Sequence, residues 1–406
     1  MPRIPALVDR DDFPLLARRI EDRPIVYLDS AATTLKPRPV IDAVLAFYRE
    51  SCANIHRGDH TLSQEASAQF EQVRHDVARF LNALTSEIIF TSGTTESLNI
   101  VAGGLRLGPG DNVVASLADH HSNILPWMGR CETRFLPETA DGVVDVERLA
   151  ELVDDKTRLV AIGHVSNVTG AIQPVREAIR IAHARGVPVV VDAAQSVPHL
   201  PIDVVELGCD FLAFSAHKML GPSGVGVLYV NEERAEQIAT VKLGGGVPDH
   251  VRLDGFTLKD VPYRLEAGTP NIEGIFGLGA AVAYLRRIGM AKVAEHDAAL
   301  SARMHALFAD MPGLELLGPR DPARKLGIVS LVPTVPTLTP ATLGRILSDS
   351  YKIMARTGTH CAHPFYASHG KPGALRLSSY VYTSEDDLEL AARALQEILR
   401  QPGRVP

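Results

Sequence analysis

The side chains of this chain best suited to chemistry stand in short segments, each directly after an apolar run. Thr91-Ser92-Gly93-Thr94-Thr95-Glu96 follows the apolar run 88–90 and leads into a helical pattern. A glycine followed by hydroxyl residues at a helix N-terminus presents free backbone N–H groups and a positive dipole end, which suit a phosphate; a plain N-cap needs the same residues. The run 187–191 ends in Asp192-Ala193-Ala194-Gln195. A carboxylate at the end of an apolar strand is costly unless a cation meets it, and a protonated pyridine nitrogen or a structural ion pair would both serve. The run 211–214 ends in Ser215-Ala216-His217-Lys218, and Gly221-Pro222-Ser223-Gly224 then forces a tight turn. A partly desolvated lysine loses its proton readily and can form a Schiff base with an aldehyde. Ser215 and His217 can share a phosphate with Thr94.

Two further segments follow the same plan. After the run 113–116 comes Asp119-His120-His121-Ser122-Asn123, where an imidazole can stack on an aromatic cofactor ring. The adjacent histidines have no acidic or cysteine partner at ligand spacing, so no metal is expected. His164-Val165-Ser166-Asn167 follows the run 159–162 and offers an amide to a ring substituent or a substrate. The last segment, Arg356-Thr357-Gly358-Thr359-His360-Cys361-Ala362-His363-Pro364, lies in a Gly- and Pro-bounded loop. A thiol among His360, His363 and Arg356 has the electropositive surroundings that favour a thiolate. Arg356 or Arg376 can grip a substrate carboxylate in a two-pronged contact. Cys131 and Cys209 read as small buried hydrophobes, and Cys52 lacks a comparable cationic cluster.

The elements that must position these residues alternate. Apolar strands at 88–90, 113–116, 159–162, 187–191, 211–214 and 225–230 are separated by helical patterns such as 64–82, 145–153 and 175–185. Such alternation implies right-handed βαβ units and a mostly parallel sheet covered by helices, in which ligands bind beyond the carboxyl ends of the strands. The pattern changes near residue 265. A loop or small hairpin around 244–260 leads to two long helices near 275–288 and 291–311, and a last helix opens at Ser384 with Asp387 as a capping box. The expectation is a large α/β domain over 25–265 and a smaller α+β domain over 266–406, joined by residues 1–24.

Composition narrows the function. With 406 residues, 46% hydrophobic and 22% charged, the chain can bury a sizeable core. A net charge of −7 leaves no basic excess for nucleic acid. The four cysteines form no CxxC pair, and no apolar run suits a signal peptide or a bilayer span, so a cytoplasmic protein without membrane contact is expected. Only nine of the 41 basic residues are lysines, and one of them is Lys218.

Taken together, the strand ends supply a phosphate cradle, a stacking imidazole, an amide, a pyridinium carboxylate, a ring-oxygen donor and a Schiff-base lysine. These are the parts of a pyridoxal 5'-phosphate (PLP) site, where the cofactor acts as an electron sink. The chain resembles, essentially end to end, the class V aminotransferase-fold enzymes and in particular the Suf-type cysteine desulfurases. The resemblance rests on Tyr27-Leu28-Asp29-Ser30-Ala31-Ala32, Asn54-Ile55-His56-Arg57-Gly58, Glu266-Ala267-Gly268-Thr269-Pro270-Asn271 and the segments above.

The resemblance implies a PLP fold type I homodimer with its active site at the subunit interface. It implies Lys218 as the cofactor's covalent anchor, Asp192 at the ring nitrogen, His120 on the ring face and Gln195 at the phenolic oxygen. Thr94, Thr95, Ser215 and His217 would hold the phosphate, and Thr269 would reach the phosphate of the partner subunit. Arg376, Asn167 and His56 would bind the carboxylate of L-cysteine. Cys361 would accept the sulfur as a persulfide, release alanine, and pass the sulfur to an acceptor protein for iron–sulfur cluster assembly or other sulfur mobilisation. Three residues depart from the family pattern. Thr359 replaces the first histidine of Arg-x-Gly-His-His-Cys-Ala, Ser92 stands where arginine is common, and Thr383 stands where asparagine usually follows the tyrosine. A selenocysteine lyase or C–S lyase of the same fold is the alternative these departures leave open.

Overall fold

The computed structural model describes residues 3–56, 58–139 and 141–400; Arg57 of the Asn54–Gly58 motif lies outside them. A seven-stranded sheet is built from β1 (Ile88–Thr91), β2 (Asn112–Ser116), β3 (Glu132–Leu136), β4 (Thr157–Gly163), β5 (Val189–Asp192), β6 (Phe211–Ser215) and β7 (Gly226–Val230). Their order is β1-β7-β6-β5-β4-β2-β3. Neighbours from β6 through β3 run parallel, whereas β7 is antiparallel to both β1 and β6. The sheet is therefore mixed but mostly parallel.

Alternate side chains of these strands enter two different apolar clusters. Val114, Val160, Ile162, Val189, Val191, Leu212 and Phe214 face one, and Val113, Ala115, Leu159, Ala161, Val190, Phe211 and Ala213 face the other. Burial on both faces is the reason these strands read as unbroken apolar runs rather than as alternating patterns. The edge strand β3 carries Glu132, Thr133 and Arg134, and no apolar run announces it in the sequence.

Around the sheet, α1 (Arg38–Glu50) is a helix that the sequence reading did not name, and α2 (Thr61–Leu81), α3 (Thr94–Gly104) and α4 (Val175–His183) follow the expected pattern. Helix α2 ends where Asn82 adopts a left-handed conformation, φ 57°. The helix expected over 145–153 is instead a 3-10 turn, Val146–Arg148, followed by one α-turn, Leu149–Leu152; Asp145 makes no side-chain cap to extend it. The segment 244–260 forms a hairpin, β8 (Pro248–Arg252) and β9 (Gly255–Leu258).

Beyond it, α5 (Ile272–Ile288) and α6 (Met290–Phe308) lead to a four-stranded sheet of β10 (Leu314–Leu317), β11 (Ile328–Pro333), β12 (Arg356–Gly358) and β13 (Ala374–Ser378). Its apolar face packs with α6, α7 (Pro340–Tyr351) and the final helix, after the short α8 (His363–Ser368), into a separate cluster containing Leu331, Leu375, Met304, Leu347 and Leu395. That final helix, α9 (Glu385–Arg400), opens on the expected reciprocal cap: Ser384 N–H donates to Asp387 Oδ2 at 2.9 Å and Asp387 N–H to Ser384 Oγ at 3.4 Å. Among the described residues no helix is long and apolar enough to cross a membrane.

The carboxyl edge of the large sheet is tight where β1 and β6 flank β7. Gly226 pairs with both Thr91 and Ser215, and a Cβ added there would lie 2.4 Å from Gly93 Cα. Gly226→Ala is expected to cost about 1–3 kcal/mol through overpacking, read as a lower denaturant midpoint. An unchanged midpoint would mean that the 91–94 turn moves aside freely.

Candidate active site

Five loops leaving the carboxyl ends of β1, β2, β4, β5 and β6 line one cavity of about 270 Å³. Thr94, Thr95, His120, Asn167, Asp192, Gln195, Ser215, His217 and Lys218 all contribute to its wall. So do Arg356, Cys361 and Arg376, which come from the four-stranded sheet and its loop. Residues scattered over 280 positions thus share one hollow at a strand-end crevice, where open α/β sheets place ligands.

Each side chain is held from behind. Thr94 donates its backbone N–H to Ser215 Oγ at 2.8 Å, and its hydroxyl lies 2.7 Å from the same oxygen, tying the start of α3 to the end of β6. His120 Nδ1 accepts from Ser122 N–H at 3.1 Å and lies 3.0 Å from Ser122 Oγ, which leaves its Nε2 edge and ring face toward the cavity. Gln195 donates to Ala31 O at 2.8 Å, and Asn167 donates to His360 O at 2.8 Å. Asp192 accepts the Ala194 N–H at 3.0 Å.

The electrostatics follow from desolvation. Burial pushes the Lys218 amine down to about 8; Arg376 and Arg356 push the same way, and the Asp192 and Cys361 charges oppose it. Burial raises the Asp192 carboxyl, against the Ala194 hydrogen bond and the Lys218 charge. His120 falls to about 3 and His217 to about 4, both chiefly through burial, so both rings are neutral at physiological pH. A neutral His120 is a face for stacking rather than a competing cation.

Several supporting residues escaped the sequence reading. The carbonyl oxygen of His217, which begins the peptide leading into Lys218, receives four donors. They are Thr34 N–H at 2.9 Å, the Thr33 and Thr34 hydroxyls at 3.1 Å each, and Lys36 Nζ at 2.9 Å. Asp29 links the two arginines, lying 3.0 Å from Arg356 Nη2 and 3.5 Å from Arg376 Nη2. Asp119, buried beside His120, accepts Gly163 N–H at 3.0 Å and Asn123 Nδ2 at 2.7 Å. Asp29 stood among the family-like motifs without a role; the partners of Thr33, Thr34 and Lys36 lie some 180 positions away, a separation that no local pattern signals.

Two expected site residues lie elsewhere in the chain. His56 and Thr269 line a second cavity of about 140 Å³ with Tyr263 and Glu266, apart from Lys218. His56 Nε2 is 3.5 Å from Glu71 Oε1 there. Cys209 is buried, as its apolar reading requires, and burial raises its thiol pKa; Cys131 is half-buried, and Cys52 and Cys361 are exposed.

The donor set fits a phosphorylated pyridine aldehyde. The cavity is lined by hydroxyls and a helix start, by a buried carboxylate and by a desolvated amine. Arg376, almost wholly buried, has an Nε with no partner, as expected of a group waiting for an anion.

The model of the class V aminotransferases matches residues 26–390, and the chain belongs to that family. A cysteine desulfurase of Escherichia coli O127:H6 is 42% identical over 97% of this chain and 98% of its own length. The apo structure of a cysteine desulfurase from Thermococcus onnurineus NA1 superposes with a TM-score of 0.90, at 38% identity, over 96% of this chain and 97% of that one. A C-DES mutant with glycine covalently linked to its PLP cofactor superposes at 0.81, with 25% identity, over 95% of this chain and 99% of that one.

In protein freed of bound aldehyde, labelling of Lys218 by an amine reagent is expected to rise through pH 8, well below an ordinary lysine. Asp192→Asn removes a charge that raises the Lys218 pKa, so the midpoint should fall further. A midpoint that stays or rises would contradict this account of the site.

Proposed function

We propose that this chain is a PLP-dependent cysteine desulfurase that converts L-cysteine to L-alanine and carries the sulfur away on Cys361. The observation that carries the reading is the opening of the Lys218 amine and the Cys361 thiol into one cavity. An amine alone fits many reactions of this family; a thiol facing it fits transfer of sulfur. The matching of cysteine desulfurases over nearly the whole chain supports the same activity.

When bound, the cofactor supplies an electron sink conjugated to the substrate Cα. Lys218 would anchor it, Asp192 would face its ring nitrogen, His120 its ring face and Gln195 its phenolic oxygen. Thr94, Thr95, Ser215 and His217 would bind its phosphate. Arg376, already fixed by its bond to Asn167 O at 2.8 Å, would orient the substrate carboxylate, with Asn167 and Arg356 beside it. The carbonyl clamp on His217 would keep the Lys218 backbone still while its side chain moves.

Lys218, with a pKa near 8, exchanges protons readily at physiological pH and would take the proton from Cα as general base. The Cys361 thiolate would then attack the substrate sulfur. The new S–S bond forms as the Cβ–S bond breaks, and the electron pair left on carbon is quenched by a proton, giving alanine. Cysteine plus thiol thus becomes alanine plus a Cys361 persulfide, with no outside oxidant. Cys361 is exposed, so an acceptor protein can collect the sulfur there.

We place the active form as a homodimer. His56 and Thr269 share a second cavity, and a partner subunit's cofactor end is the occupant that gives Thr269 a phosphate to hold.

Cys361→Ala is expected to lower alanine release from L-cysteine by roughly 100-fold or more while leaving the cofactor's visible band in place. Lys218→Ala should abolish both. Alanine release that survives Cys361→Ala would rule out the persulfide route; survival with selenocysteine alone would favour a lyase.

A further inference from the structure

The loop that carries Cys361 is held in an unfavourable backbone conformation. His360 and Cys361 both adopt left-handed φ values, 50° and 55°, which non-glycine residues rarely do in succession. Something must hold them there. On one side Asn167 Nδ2 binds His360 O, and on the other His121 N–H donates to Cys361 O at 2.8 Å. The His121 side chain then closes a second link. Its Nε2 accepts the His363 backbone N–H at 3.2 Å and lies 3.1 Å from His363 Nδ1, with the two rings stacked at 4.9 Å and 12°. Thr359 Oγ1 lies 3.1 Å from His363 Nε2.

These contacts assign every proton. His121 Nε2 receives a backbone N–H and so carries no proton of its own. His363 Nδ1, facing the same acceptor, must donate, which leaves His363 Nε2 to accept from the Thr359 hydroxyl. The chain Thr359→His363→His121 is satisfied only with both rings neutral. Protonating His121 would set its one Nε2–H against two donors, and protonating His363 would remove the acceptor for Thr359. The titratable groups facing the His121 ring are His363 from the start of α8 and His120 from its own turn, ring centroids 6.2 Å apart. Burial and His363 together lower the His121 pKa, which favours the neutral form. Thr359 is one of the departures from the family's loop, and it supplies the terminal hydroxyl of this chain.

We propose that Thr359, His363 and His121 form a neutral hydrogen-bonded clasp that positions the Cys361 thiol for sulfur transfer, fastening its loop to the same turn that carries His120. These are positioning residues, acting through the loop backbone. The proposal rests on the reading of Cys361 as the sulfur acceptor. Through the clasp, the thiol and the stacking imidazole keep a common position, and protonation of either ring on acidification releases the thiol loop.

The test compares wild type with His121→Phe, His363→Phe and His121→Gln, the last keeping an acceptor near Nε2 that cannot be protonated. Each is loaded with cofactor and checked for its visible band. Amide exchange over 359–366 is then followed, together with single-turnover persulfide formation on Cys361 by mass spectrometry. Both Phe variants should keep the band, exchange faster, and form persulfide about tenfold more slowly, as expected for a misplaced reacting group. His121→Gln should restore exchange and rate, and on acidification its exchange over 359–366, corrected for the intrinsic rate, should stay slow where that of wild type speeds up. Phe variants matching wild type in both readouts, or a Gln variant as impaired as Phe, would overturn the clasp. If wild type forms no persulfide at all, the functional reading falls, and the exchange measurements still decide whether the clasp exists.

Discussion

A parallel sheet buried on both faces confines polar chemistry to its edges, and the whole site depends on that constraint. Val190 and Val191 enter opposite apolar clusters, so the first position on β5 where a carboxylate can be accommodated is its last residue, Asp192. The same holds for Ser215 at the end of β6. Placing Asp192 and Lys218 together at this edge is a balance: desolvation disfavours both charges and their mutual attraction restores part of the loss. The outcome is an amine whose pKa lies near 8, which suits the roles proposed for Lys218.

Rigidity is distributed unevenly around the cavity. The wall built by the large sheet is tied by short, redundant hydrogen bonds: Thr94 to Ser215, Gln195 to Ala31, and four donors on the His217 carbonyl. The opposite wall is a loop between β12 and α8 carrying two left-handed residues and an exposed thiol. In the sulfur transfer proposed above, a fixed reaction centre facing a loop-borne thiol would let that thiol meet the substrate inside and an acceptor outside. Asp29, bridged to Ser378, ties Arg356 to Arg376 on the side of the four-stranded sheet.

Much of the fold and most of the site were legible in the sequence, for a common reason. Doubly buried strands must be apolar throughout, and their ends must be where the polar residues begin, so the runs ending in Asp192 and Ser215-Ala216-His217-Lys218 showed both strand and site at once. The glycine and hydroxyl residues of 91–95 marked the turn into α3 that lines the same cavity. The edge strand β3, polar and half-exposed, carried no such signal, and the weak helix at 145–153 lacked the cap that would extend it.

The sequence by itself determined the chemical inventory: one lysine, one carboxylate, hydroxyls and an imidazole at successive strand ends, and a thiol in a histidine-rich loop. Only the tertiary structure decided which of these meet. Packing of the four-stranded sheet against the loops that carry Ala118 and Val168 brings Cys361 and Arg376 into the Lys218 cavity, and His56 and Thr269 line another. It also brings Thr33, Thr34 and Lys36 onto the His217 carbonyl, and His121 onto His363. Such contacts span up to some 240 positions and are set by the way elements close on one another. Local spacing encodes the direction of a side chain, not the partner that folding delivers to it.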